Sequence, residues 1–245
     1  MTKTFISLLS LLSISFHAIS QFEVLSPSNN IADIELLRTK DSHMIWYMVN
    51  DSTETKIGDV QTQIRKEEDF IYLITSIDLE QSAYRWIDST VVRTPNLEPF
   101  YHSSYNQQRD LVLEFGNKIT GYHFDKQTEQ KTEIAEETSG SFFDSNFYPE
   151  LISLLPLKHG FQRTIAIFDY KPKAVTGVLT ATIKNTEKTT ITHNGVLKEV
   201  WKVVTTDDIS NNATIITYFF DRKTRKKLLQ EVGFKNGKMI FKAVD

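Results

Sequence analysis

Along most of this chain, apolar and aromatic residues come in short runs broken by Asn, Asp, Gly, Ser or charged clusters. "HMIWYMVN", "IYLITSI", "AYRWIDSTVV", "LVLEFG", "KITGYHFD", "TIAIFDY", "VLTATI", "EVWKVVTT", "TIITYFFD" and "KLLQEVGF" are rich in β-branched and aromatic side chains. That composition suits strands packed on a pleated surface. "GNK" at 116–118, "HNG" at 193–195 and "KNG" at 235–237 supply the positive-φ residues that tight hairpins need. Strands joined by such turns predict an antiparallel meander rather than βαβ units. In "LKEVWKVVTT", Glu199, Trp201 and Val203 share a face but Leu197, Val200 and Val203 do not. This strand is expected to be buried partly on both sides or to carry a bulge.

One segment departs from the strand pattern. In "FFDSNFYPELISLLPL", Phe147, Leu151, Leu154 and Leu155 fall at i, i+4, i+7 and i+8, an apolar stripe at helical spacing. The predicted helix covers about 144–155, with Asp144 or Ser145 as cap and Pro149 and Glu150 in its first turns. Pro156 disfavours helical geometry at Leu155 and stops it, and His159-Gly160 reverses the chain into "FQRTIAIFDY". The polar stretch 129–140 before it reads as a hinge between two strand-rich halves. "YRWIDSTVVRTPNLEP" and "TYFFDRKTRKKLLQE" echo one another, and in each an Asp (Asp88, Asp221) is expected to fix a turn through backbone N–H groups.

The N-terminus changes the setting. Lys3, the uncharged run "FISLLSLLSISF", and Ala18 and Ser20 in "HAIS" predict a secretory signal peptide over 1–20. The mature chain, 21–245, is expected to fold as a single domain. It contains no second long apolar run, so no transmembrane segment is expected in it. Cysteine is absent, which excludes disulfides, a thiol nucleophile and a lipidated N-terminal cysteine. The chain is thus expected in the periplasm or secreted, and not as a lipoprotein.

Charge is slightly acidic, formally −3, but unevenly spread. Arg222, Lys223, Arg225, Lys226 and Lys227 crowd one predicted hairpin. They form a candidate patch for a partner or an anion, and the simplest account is a solvated tip whose charges protect a strand edge. Export, and the lack of interleaved aromatic residues, argue against nucleic acid.

Candidate chemistry is sparse. His43, His102, His123, His159 and His193 show no HExxH or HxH spacing, and read as scattered surface or turn histidines, although His102 and His123 could converge across neighbouring strands. No GxSxG, P-loop or GxGxxG motif occurs, and Glu136-Glu137 and Asp207-Asp208 would point to opposite faces of a strand. Neither an enzyme, a metal nor a cofactor is expected. Aromatic residues are plentiful, and packing accounts for them most simply. The alternative is an apolar cavity, with Trp46, Tyr72, Trp86, Tyr122, Phe147 and Leu151 as candidate ligand-facing residues.

The combination "FDSN…LISLLPLKHGFQRTIAIFD", with "GNKITGYHF" before it and "YFFDRKTRKKLLQE" after it, resembles the bacterial envelope family catalogued as domain of unknown function 3108. The resemblance covers about Ile57 to Val232. It implies a mainly β fold: a large curved antiparallel sheet, a half-barrel akin to the lipoprotein carriers, with one short helix on its concave side. It brings no catalytic residues. The combined expectation is a non-enzymatic periplasmic protein that binds or carries an apolar, lipid-like ligand. The alternative is an assembly module that docks on an envelope protein through a sheet edge or the basic C-terminal hairpin.

Overall fold

The computed structural model describes residues 23–172 and 176–244; the expected signal peptide, 1–20, lies outside them. Eight strands form a first meander: β1 (Lys40–Asn50), β2 (Thr53–Lys66), β3 (Phe70–Leu79), β4 (Trp86–Arg93), β5 (Pro99–Tyr105), β6 (Arg109–Phe115), β7 (Ile119–Asp125) and β8 (Gln130–Glu136). The chain then makes β9 (Phe143–Asp144), the helix α1 (Tyr148–Leu154) and a second run of strands. These are β10 (Arg163–Asp169), β11 (Gly177–His193), β12 (Val196–Asp207), β13 (Ile215–Asp221), β14 (Lys227–Phe234) and β15 (Gly237–Ala243). All fifteen belong to one open sheet, in the order β8 to β1, then β15 down to β9. The two meanders join where β1 pairs antiparallel with β15, from Met44↔Ala243 to Val49↔Lys238.

The strand order makes β8 and β9 the two free edges, yet only residues 137–142 separate them. A sheet whose edges are bridged by so short a link must roll up, because an extended residue reaches only about 3.5 Å. The predicted hinge at 129–140 is therefore mostly the edge strand β8. The core confirms the roll. Ile64, Ile71, Leu73 and Val92 from one wing share a cluster with Ile165, Ile167, Leu179, Val203 and Phe220 from the other. Phe147, Leu151, Ile152, Leu154 and Leu155 lie in that same cluster. The mainly β, curved antiparallel sheet with a helix on its concave side is thus what the chain forms.

The helix is shorter than predicted. Asp144 is not its cap; it belongs to β9, paired parallel with Phe168 of β10. Pro149 stands in the first turn, and Leu155 is already extended (ψ 156°), as a residue before proline should be. Gly160 takes φ 72° and donates its N–H to the Thr186 carbonyl at 2.8 Å, reversing the chain into β10. The two-sided burial predicted for 197–206 is present: Trp201 and Val203 join the main core while Val200 packs with Phe219 and Leu228.

Edges are managed in two ways. β8 is exposed along most of its length and carries charge, with Lys131 on Glu133 at 2.7 Å, a pattern that deters pairing with another strand. β10 is covered by β9 at Ile167–Phe168 and by Leu25 beyond it. The Leu25 N–H reaches the Thr164 carbonyl, and the Ala166 N–H reaches the Leu25 carbonyl, both at 2.8 Å. Further along, the Asp33 N–H caps the Leu154 carbonyl at the end of α1, at 2.9 Å.

In β7, Gly121 takes φ 146°, and a Cβ there would sit 1.9 Å from the Val112 carbonyl oxygen. Only glycine fits. Leu151→Ala should cost about 2–5 kcal/mol through the cavity it leaves. Val196→Ala, at a site 55% exposed on the β11–β12 hairpin, should move stability by less than about 0.5 kcal/mol. Urea unfolding of both variants checks the pair, and equal effects would contradict the filled core.

Candidate functional site

Register places a polar group on the concave face of the first wing. Asp88 pairs with Ser104, Ser104 with Leu111, and Leu111 with His123; one rung away stand Thr90, His102, Leu113 and Gly121. Alternation sends all of these side chains to the side where Leu111 and Leu113 are buried. Trp86 and Arg109 lie two residues before Asp88 and Leu111, on the same face. The second wing contributes Asp144, Ser145 and Asn146 from the approach to α1, and Phe168, Asp169 and Tyr170 from the end of β10.

These groups close around a cavity of about 60 Å³, room for a few water molecules and not for a lipid chain. His102 Nδ1 lies 3.0 Å from Asp144 Oδ2, with the two side chains 8% and 2% exposed. Asp144 Oδ1 accepts the Asn146 N–H at 2.7 Å and faces the Thr90 hydroxyl at 3.5 Å. The Ser145 hydroxyl donates to Asp169 at 2.9 Å, and the Trp86 indole N–H donates to Asp88 at 2.7 Å and to Ser104 at 3.2 Å. Beside this pit lies a more open recess of about 310 Å³, lined by Leu79, Tyr84, Trp86, Asn106, Gln108 and Arg109 among others. Trp86 and Arg109 line both chambers.

Electrostatics follow from burial. Desolvation alone would lower the His102 pKa, but Asp144, with smaller contributions from Asp88 and Asp169, lifts it above its ordinary 6.5. Burial raises the Asp88 carboxyl, against the hydrogen bonds from Ser104 and Trp86. It also raises Asp169, with Asp144 adding to it. The hydroxyls of Ser104 and Ser145 are bonded to Trp86 and Asp169. Among the described residues, no three His, Asp or Glu side chains are arranged to hold a metal ion.

The candidate ligand-facing residues divide. Trp86 lines both chambers. Trp46 stacks on Phe241 at 5.3 Å on the seam between the meanders and is part of neither chamber. Tyr72 sits between the core residues Ile71 and Leu73 and so points to the outer face. Tyr122, between Gly121 and His123, does the same, with Lys131 4.6 Å over its ring. Near it on that face, burial and hydrogen bonds with Tyr101 and Tyr122 push the Tyr105 phenol up to about 12. Phe147 and Leu151 are 0% exposed. They fill the core and have no surface left for a ligand.

The basic hairpin also disperses. Asp221 holds its turn as expected, accepting the Lys223 and Thr224 N–H groups at 2.9 and 2.8 Å. Lys223 is exposed, but Arg222 pairs with Glu199 at 2.8 Å. Arg225 turns inward to the Leu155 carbonyl at 3.4 Å, and Lys227 approaches Glu150 and the Tyr218 ring. Lys226 likewise has its own interactions. The five cations therefore do not make one patch. Asp88, expected in a turn, instead lies in mid-strand and lines the pit. Of the histidines, His102 belongs to the site, and His123, though on the same face two strands away, does not line it.

The family model described as "Protein of unknown function (DUF3108)" matches residues 43–242. The chain belongs to the DUF3108 family. The match runs from β1 to β15 and so takes in both wings, α1 and every residue of the pit, a wider span than the sequence resemblance covered. No curated protein matches the chain. No helix among the described residues is long and apolar enough to cross a membrane.

A raised histidine pKa has a defined pH signature. The contribution of His102 is fully present below its unfolded-state value, near 6.5, and is lost as pH rises through its higher folded-state value. Stability measured by urea unfolding should therefore decline as pH rises above about 6.5. Asp144→Asn should cost about 3 kcal/mol or more at low pH, since it leaves a buried imidazolium unpaired. It should also flatten the decline, and an unchanged slope would remove His102–Asp144 as its source.

Proposed function

We propose that this DUF3108 protein is an exported, non-enzymatic protein of the cell envelope that binds a small polar-headed ligand in the pit and recess joined by Trp86 and Arg109. The observation that carries this reading is the pair of adjoining chambers, one deep and polar, the other open and aromatic, with two side chains common to both. Ligand sites of this kind combine an apolar wall with a few placed polar groups. A lipid carrier would need space under α1, where Phe147, Leu151 and Leu155 are fully buried, so the ligand is small and lies to one side of the helix.

The docking alternative has less support. Its edge strand is guarded by charge, and its basic hairpin is spent on contacts within the chain. Export rests on Lys3, the apolar run 5–16 and the small residues at 18 and 20. The lack of cysteine accords with an unlipidated mature chain.

Ligand-observed NMR with a mixed library of small polar and aromatic compounds tests the binding claim on the chain from Gln21 onward. Hits should lose affinity at least about tenfold in Arg109→Gln and in Tyr84→Ala, the latter at a side chain 63% exposed and so harmless to folding. Binding indifferent to both changes, or a lipid that stays with the purified protein, would overturn the reading. N-terminal sequencing of the protein from its native envelope should begin near Gln21; a start at Met1 would remove the export claim.

A further inference from the structure

The charges around the pit ask for a particular ligand. Three carboxylates converge there, and the first, Asp144, is occupied by His102. Among the described residues, Asp88 accepts from the Trp86 indole and the Ser104 hydroxyl and Asp169 from the Ser145 hydroxyl, all neutral donors. Burial disfavours both as anions, the usual sign of carboxylates with too little compensating charge. The cations within electrostatic reach of both are His102, already engaged, and Arg109. Arg109 stands on the wall common to pit and recess, and its guanidinium makes no ion pair among the described residues. His102 has spent Nδ1 on Asp144, so Nε2 is the remaining polar atom of a ring that is more than nine-tenths buried and lines the cavity.

Candidate ligand classes can be sorted by charge. A simple anion would meet Asp88 and Asp169 and be repelled. A wholly apolar ligand would bury both carboxylates further, with no partner. A plain amine would satisfy the carboxylates and leave the half-buried Arg109 guanidinium unmatched. A zwitterion with its two charges a carbon or two apart meets both demands. Its ammonium has three N–H donors for the carboxylates, and its carboxylate accepts the guanidinium fork. The pit, at about 60 Å³, is of a size for the ammonium and the carbon that bears it, and the recess of about 310 Å³ beside Tyr84 and Trp86 takes the side chain.

We propose that the site binds a free α-amino acid with an aromatic or large apolar side chain, ammonium between Asp88 and Asp169, carboxylate on Arg109, side chain against Trp86 and Tyr84. This rests on the small-ligand reading above and specifies its chemistry. No bond is made or broken; the site is one of reversible binding.

Calorimetry on the chain from Gln21 onward tests it with three probes of one shape: phenylalanine, phenethylamine (no carboxylate) and 3-phenylpropanoate (no ammonium). Phenylalanine should bind at least tenfold more tightly than either analogue. Asp88→Asn should weaken phenylalanine and phenethylamine but leave phenylpropanoate unweakened, and Arg109→Gln should weaken phenylalanine and phenylpropanoate but not phenethylamine. Circular dichroism confirms that each variant is folded, and the wild-type ranking alone decides the matter if one is not. Equal binding of phenylalanine and either analogue, or no binding of phenylalanine, overturns the amino-acid proposal. If other library compounds still bind in an Arg109- and Tyr84-dependent way, the small-ligand reading survives that failure; if none does, both fall.

Discussion

The fold hangs on the contact between the apolar stripe of α1 and the two wings of the sheet. Without cysteine there is no covalent tie, and a rolled sheet whose edges do not pair must be held by what it encloses. Phe147, Leu151, Leu154 and Leu155 meet Ile64, Ile71 and Val92 on one side and Ile165, Ile167 and Val203 on the other, in one cluster. Burying side chains of this size contributes roughly 1.5–3 kcal/mol each. The helix, of only seven residues, would have no stability alone. Helix and roll each exist because the other does.

That dependence explains the polar ties around the helix. At its C-terminal end, orphan carbonyls are met by the Asp33 N–H and by Arg225, a cation where the helix end is negative. On its flank Glu150 takes Lys40 of β1 at 3.2 Å with Lys227 of β14 beside it. Burial pushes the Glu150 carboxyl up, but the two lysines outweigh it and hold it below its usual range. At the N-terminal approach Asp144 takes His102 of β5. Charged groups from both meanders thus fix how far the roll closes around a helix that burial alone would position less uniquely. Such pairs add little net stability compared with apolar packing, but they penalise any arrangement that leaves one partner alone.

The sheet, its turns and its helix were legible because they are written in local periodicity and in Gly, Asn and Pro. The site was not, for a physical reason. Asp88 looked like a turn residue because "WIDST" resembles "FFDRK", and only the pairing Asp88↔Ser104 reveals a mid-strand, inward position. Asp144 looked like a helix cap, and its role depends on a two-residue parallel pairing that no spacing rule describes. His102 and Asp144 are 42 residues apart, and their meeting follows from the roll of the whole sheet. Tyr72 and Tyr122 failed as ligand-facing candidates for the converse reason: aromatic content says nothing about face, and a period of two decides it.

The position of the pit follows from the same geometry. Along α1, its side chains and those of both wings pack into one buried cluster. Beyond the N-terminal end of α1 the wings face one another directly, and the filling changes character. Phe142 and Phe168 close one part, their rings tilted with centroids 5.3 Å apart and packed with Leu111, Leu113 and Ile134. Next to them the chain must turn from β9 into α1, which leaves the Asn146 N–H to a side-chain acceptor and brings the side chains of Asp144, Ser145 and Asn146 inward. A turn in such a place cannot be sealed with apolar residues, because its N–H groups need acceptors. Asp144 supplies one such acceptor and holds His102, and with Asp88 and Asp169 within reach of Arg109 the result is a charged pocket where the sheet gives way to the helix. The site is the consequence of starting a helix inside a half-closed sheet, with Trp86 and Arg109 placed by strand register to make it accessible from outside.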